Sequence, residues 1–112
     1  MDLFFDRQGT PISLERWAAL MGRQDRHVGL TDLGALGRVS TVWLGLNHAW
    51  GDGPPLIFET MIFGGPMDQY QERYSTEEQA AIGHGFAVQA LMYYRPEAKR
   101  PPLIQNGRKP RK

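Results

Sequence analysis

An α+β fold is expected for this chain: a small, mostly antiparallel four-stranded sheet with helices packed on one face. Three observations predict it. Two apolar runs rich in β-branched and aromatic residues, 38 to 46 and 56 to 63, are bounded by glycine and proline. Stretches with apolar residues at helical spacing lie before and after them, at 14 to 21 and 75 to 93. A length of 112 residues with 41% hydrophobic content suits one domain built around one core.

From the N-terminus, Leu3-Phe4-Phe5 reads as a first short strand, ended by the turn composition of Asp6-Arg7-Gln8-Gly9. Ser13 then opens a helix. Leu14, Trp17, Ala18 and Met21 form an i, i+3, i+4, i+7 stripe that marks Trp17 as a core anchor, and Gly22 stops the helix. Residues 27 to 33 alternate weakly and lead, through the glycines of 34 to 37, into Val39-Ser40-Thr41-Val42-Trp43-Leu44-Gly45-Leu46. This run is apolar on both faces and is expected to be central. Between Pro54-Pro55 and Gly64-Gly65-Pro66, a period of two puts Ile57, Glu59, Met61 and Phe63 on one face and Leu56, Phe58, Thr60 and Ile62 on the other. Glu59 is thus a carboxylate in an otherwise apolar row.

Ser75-Thr76-Glu77-Glu78 has the form of a capping box, with Ser75 as cap and Glu78 as its reciprocal partner. The helix it opens should run to about Tyr93, before Pro96, with Ala80, His84, Ala87, Val88 and Leu91 facing the sheet. Gly83 and Gly85 flank His84. Glycine inside a helix costs about 1 kcal/mol relative to alanine, which implies close approach by the sheet or by a ligand. The resulting order is β-α-β-β-β-α.

The absence of cysteine excludes disulfides, thiolate zinc sites and thiol nucleophiles. No apolar run approaches the roughly 20 residues of a membrane-spanning helix, and the N-terminus lacks the form of a signal peptide, so a cytoplasmic protein is expected. Charge divides the chain. Residues 1 to 94 carry six arginines and eleven carboxylates, whereas 95 to 112 carry seven cations against Glu97. The expected organisation is one α+β domain over 1 to 94 and a basic, proline-containing disordered tail over 95 to 112. Such a tail could also hold nucleic acid through its phosphates. A domain this small gains stability from a bound ligand or a second copy, which makes a homo-oligomer plausible.

Several residues could carry chemistry. The loop 47 to 55 is long for a hairpin and offers His48 and Asp52 as acid, base or ligand groups, with Trp50 as a stacking surface. His48, Glu59 and His84 could converge, the first ending one central strand, the second on its neighbour and the third on the covering helix. Two histidines and a carboxylate could hold a metal, yet their spacing fits no metal motif, and neither metal nor cofactor is expected. Arg73-Tyr74-Ser75 at a helix start could grip a phosphate, with Trp43, Trp50 or Tyr74 stacking on a base. No Walker loop, dinucleotide fingerprint, nucleophile elbow or deaminase pattern occurs, which disfavours the common enzyme classes.

The stretch Val39-Ser40-Thr41-Val42-Trp43-Leu44-Gly45-Leu46-Asn47-His48, continuing through Gly53-Pro54-Pro55-Leu56-Ile57-Phe58-Glu59-Thr60-Met61-Ile62-Phe63-Gly64, together with Arg73-Tyr74-Ser75-Thr76 and Gly83-His84, resembles a family of short, functionally uncharacterised phage and prophage proteins. The resemblance covers roughly residues 38 to 88. It implies a setting, host takeover or evasion of host defence, rather than a mechanism.

The first expectation is therefore a phage-type binding protein that sequesters a small phosphorylated ligand, such as a nucleotide second messenger, without turning it over. Its candidate contacts are Trp43, His48, Trp50, Asp52, Glu59, Arg73, Tyr74, Ser75 and His84. The alternatives are a hydrolase or lyase using His48, Glu59 and His84, with or without a metal, and an inhibitor that binds a host protein.

Overall fold

Alternating side chains make the two apolar runs pair as antiparallel neighbours, and polar flanking segments complete the sheet. The computed structural model describes residues 2–23 and 25–96. In order, the elements are β1 (Phe4–Phe5), β2 (Pro11–Ile12), α1 (Leu14–Arg23), β3 (His27–Asp32), β4 (Arg38–Trp43), β5 (Phe58–Phe63), β6 (Gln71–Tyr74) and α2 (Glu77–Met92). Strands β3-β4-β5-β6 form one antiparallel meander, and β1-β2 form a separate hairpin. The class is α+β, as the sequence predicts.

The fourth strand is a correction. Leu3-Phe4-Phe5 contributes to the small hairpin and touches the rest through a bridge from Phe4 to Leu46, while the sheet takes Gln71–Tyr74 as its edge. Gln71-Glu72-Arg73-Tyr74 is polar because an edge strand faces water, so apolar alternation does not reveal it. β4 stops at Trp43, sooner than its apolar run, since Gly45 adopts a φ of 71°. The cap of α2 also lies one residue later than expected. Thr76 Oγ1 accepts from the Gln79 amide at 3.0 Å and the Gln79 side chain accepts from the Thr76 amide at 3.3 Å, so the box is Thr76 with Gln79 rather than Ser75 with Glu78.

The inward row of the sheet, Val39, Thr41 and Trp43 with Phe58, Thr60 and Ile62, is buried beneath Ala80, Ala87 and Leu91 of α2. Trp17, Leu20 and Met21 of α1 join this layer against Phe5, Trp43, Ile57 and Phe58. Trp17 is the anchor expected, donating Nε1–H to the Leu44 carbonyl at 3.0 Å, whereas Leu14 and Ala18 of its stripe are exposed. Arg7 fixes the N-terminal hairpin to the rest. Its guanidinium forks onto Glu77 at 2.9 and 3.0 Å and donates to the Asp25 carbonyl at 3.0 Å. Both helices serve one side of the sheet. The other side, with Leu30, Ser40, Val42, Glu59, Met61, Phe63, Gln71 and Arg73, is covered by neither. Among the described residues no helix is long and apolar enough to cross a membrane. The basic segment from 97 onward lies outside the described residues.

Candidate functional site

His84 lies where α2 crosses the sheet, and a row of hydroxyls receives it. Thr41 Oγ1 is 2.7 Å from its Nδ1 and Thr31 Oγ1 is 2.9 Å from its Nε2. Thr41 bonds in turn to Thr60, to which Tyr74 donates at 3.1 Å. One direction of donation satisfies the whole chain, from Tyr74 through Thr60 and Thr41 to Nδ1, with Nε2–H donating to Thr31. This arrangement needs a neutral ring. Burial lowers the His84 pKa from its ordinary 6.5, in agreement with that neutrality. Burial likewise raises Tyr74, an effect that its bond to Thr60 opposes and nearby Glu72 reinforces.

The glycines explain how the ring fits. A Cβ at Gly29 would meet the imidazole at 2.9 Å, so this position in β3 is where the ring lies on the backbone. Gly83 admits the Tyr74 ring, while Gly85 has nothing within 4 Å. The close approach implied by the helix glycines is thus real at Gly83, but it is made by Tyr74 and not by a ligand.

The proposed triad does not assemble. Glu59 alternates with Thr60 and so points to the face of β5 opposite His84, where its carboxylate accepts from Arg73 Nε at 3.1 Å and from Gln71. His48 belongs to the loop 47 to 55, with its amide donating to the Leu56 carbonyl at 3.1 Å. Among the described residues no group of three metal-ligating side chains occurs. The joint phosphate grip at the helix start is not assembled, because the Gln79 side chain accepts from the amides of Ser75 and Thr76 while Arg73 points to Glu59 on the uncovered sheet face. Trp43 is fully buried and Tyr74 is packed on Gly83, so neither offers a stacking plate. Trp50 does: it is 97% exposed and lines a shallow recess of about 440 Å³ with Asn47 and Asp52. Asn47 shapes this loop by accepting from the amides of Ala49 and Leu56 at 2.8 and 3.0 Å.

The uncovered sheet face brings Glu59 and Arg73 together with residues that sequence reasoning missed. A hollow of about 260 Å³ is lined by Arg26, His27, Ser40, Val42, Glu59, Met61 and Phe63. Arg38, paired with Phe63 across the strands, holds its guanidinium 5.9 Å from the ring centroid. The signal was present in the row of Glu59, Met61 and Phe63. What hid it was that either row of β5 could have been the packed one, and the more apolar-looking neighbourhood of Glu59 gave no reason to choose.

Fold and surfaces together define a small α+β protein whose four-stranded sheet has one face packed by both helices and the other covered by neither. Comparison with protein families, with curated proteins and with solved structures finds no match to this chain.

Proposed function

We propose that this protein is a binding module that captures an anionic, ring-bearing small molecule, of which a nucleotide is the best fit, on the open face of its sheet. The observation that carries the reading is the composition of that face. A solvated sheet face ordinarily alternates to polar side chains. Here Val42, Met61 and a half-exposed Phe63 form an apolar floor, with Arg26, Arg38 and Arg73 around it; the carboxylates of this face are Glu59, which accepts from Arg73, and Asp32, which lies across from Arg38 and accepts from the Gly34 amide. Arg38 and Arg73 are cross-strand neighbours of Phe63 and Glu59, four residues apart on β5, a span of roughly 13 Å at ~3.4 Å per residue. That span suits a base on Phe63 and phosphate at either arginine. A ligand phosphate would compete with Glu59 for the Arg73 fork. The resemblance to phage and prophage proteins supports a setting in which such a ligand is a host signal held away from its receptor.

Calorimetry and thermal shift against cyclic and ADP-ribose-derived nucleotides test the reading. Arg38→Ala and Arg73→Ala should each weaken binding about tenfold or more, as expected on losing a charge-assisted contact, with the ligand recovered unchanged. The reading fails if no member of the panel stabilises the protein, or if both variants bind as the parent does.

A further inference from the structure

We infer that the outer face of α2 is a self-association surface, on which a second copy of this chain packs its own α2 antiparallel. The helix bears no Asp, Glu, Lys or Arg from Gln79 to Tyr94. Among the described residues only one side of it is packed, through Ala80, His84, Ala87 and Leu91. On the other side Ile82 is 62%, Phe86 67%, Met92 53% and Tyr93 69% exposed. A helix apolar all round is one that is covered all round. The shorter α1 makes the contrast, since it turns Glu15, Arg16 and Arg23 outward.

Gly85 is the second observation. It lies on the exposed side with open space where its Cβ would stand, so nothing among the described residues explains a residue that weakens the helix. A neighbouring helix would explain it, because a glycine on the contact line forms a recess for a large side chain. The same face carries both the knob, Phe86, and the recess, together with an open groove of about 420 Å³ bordered by Ile82, Gln89 and Tyr93. A two-fold interface requires this self-complementarity. With the axis between residues 85 and 86, each Phe86 sits over the partner's Gly85 and each Ile82 over the partner's Gln89.

Charge complementarity favours the antiparallel sense. The face begins at Glu78 and ends beside exposed Arg95, so a two-fold pairing brings the acidic end of one helix to the basic end of the other. The helix dipoles are opposed as well. The exposed part of four large side chains amounts to roughly 400–500 Å² per copy, at about 150–250 Å² for a whole large side chain. This is less than the ~800 Å² per partner of a standard interface, which points to a micromolar and reversible dimer.

Sedimentation equilibrium on the full chain, from low to high micromolar concentration, tests the inference. The parent should pass from monomer to dimer within that range. Phe86→Lys should raise the dissociation constant at least about tenfold with an unchanged melting temperature at low concentration, since the side chain is outside the core. Gly85→Gln should also weaken association even though it improves the helix, an outcome that an unused surface would not give. A parent that stays monomeric throughout overturns the inference, as does a dimer indifferent to both variants. Monomer that instead binds vesicles of anionic lipid, with binding lost in Phe86→Lys, would also overturn it and assign the face to membranes. These readouts are independent of nucleotide binding, so this inference and the proposed function stand or fall separately.

Discussion

His84 ties α2 to the sheet through both ring nitrogens, so its removal should be felt as stability. His84→Ala leaves the Thr31 and Thr41 hydroxyls without their partner, at a cost of about 1–3 kcal/mol, or several degrees of melting temperature in a domain of this size. Its pH response follows from the lowered pKa. Below 6.5 the unfolded chain binds a proton that the folded ring resists, so the stability contributed by the neutral ring is complete above 6.5 and declines as the pH falls toward the lower folded value. Melting curves between neutral and mildly acidic pH should show a larger fall in the parent than in His84→Ala, the difference isolating this ring. Equal slopes would refute the assignment. The two helix glycines should respond in opposite directions. Gly83→Ala forces Tyr74 away from Thr60 and destabilises, whereas Gly85→Ala meets open space and should add up to about 1 kcal/mol when measured on dilute monomer by chemical denaturation.

At the scale of elements, the ends of the fold are held by a few polar contacts, because β1 and β2 are only two residues each. Thr76→Ala removes the cap of α2 and should cost about 1 kcal/mol. Arg7 joins the hairpin to the first turn of α2 and to the strand entering β3, and its side chain is largely shielded from water. Arg7→Ala should cost roughly 1–2 kcal/mol. Arg7→Lys should recover little of it, since an ammonium cannot reproduce the two-pronged contact with Glu77 while reaching the Asp25 carbonyl. Denaturant titration of the pair tests this, and full rescue by lysine would show that charge alone suffices.

For the whole molecule, one sheet separates two surfaces with different chemistry. The open strand face carries arginines on an apolar floor, and the outer helix face carries apolar side chains without charge. The packed layer lies between them and neither surface shares residues with the other. Their variants should therefore act independently: Arg73→Ala should change nucleotide affinity and leave the sedimentation behaviour alone, and Phe86→Lys should do the reverse. A double variant whose losses depart clearly from the sum of the two would mean that ligand and association are coupled through the sheet.

Periodicity sufficed for much of this. The strands at β4 and β5, both helices, and the inward placement of Ala80, His84, Ala87 and Leu91 follow from spacing alone, because an apolar stripe has one stable solution once an element must bury it. The same reasoning could not find β6, whose polar side chains carry no burial signal. Nor could it orient Glu59. A period of two divides a strand into two rows without saying which one meets the helix, and that choice depended on Thr31 and Thr41 receiving the His84 ring between them, with Thr60 bonded to Thr41 behind it. Convergence of His48, Glu59 and His84 was a statement about distance between separate elements. Sequence supplied the residue types and the local structure, but the direction in which each strand presents its faces was decided only when α2 chose a side of the sheet.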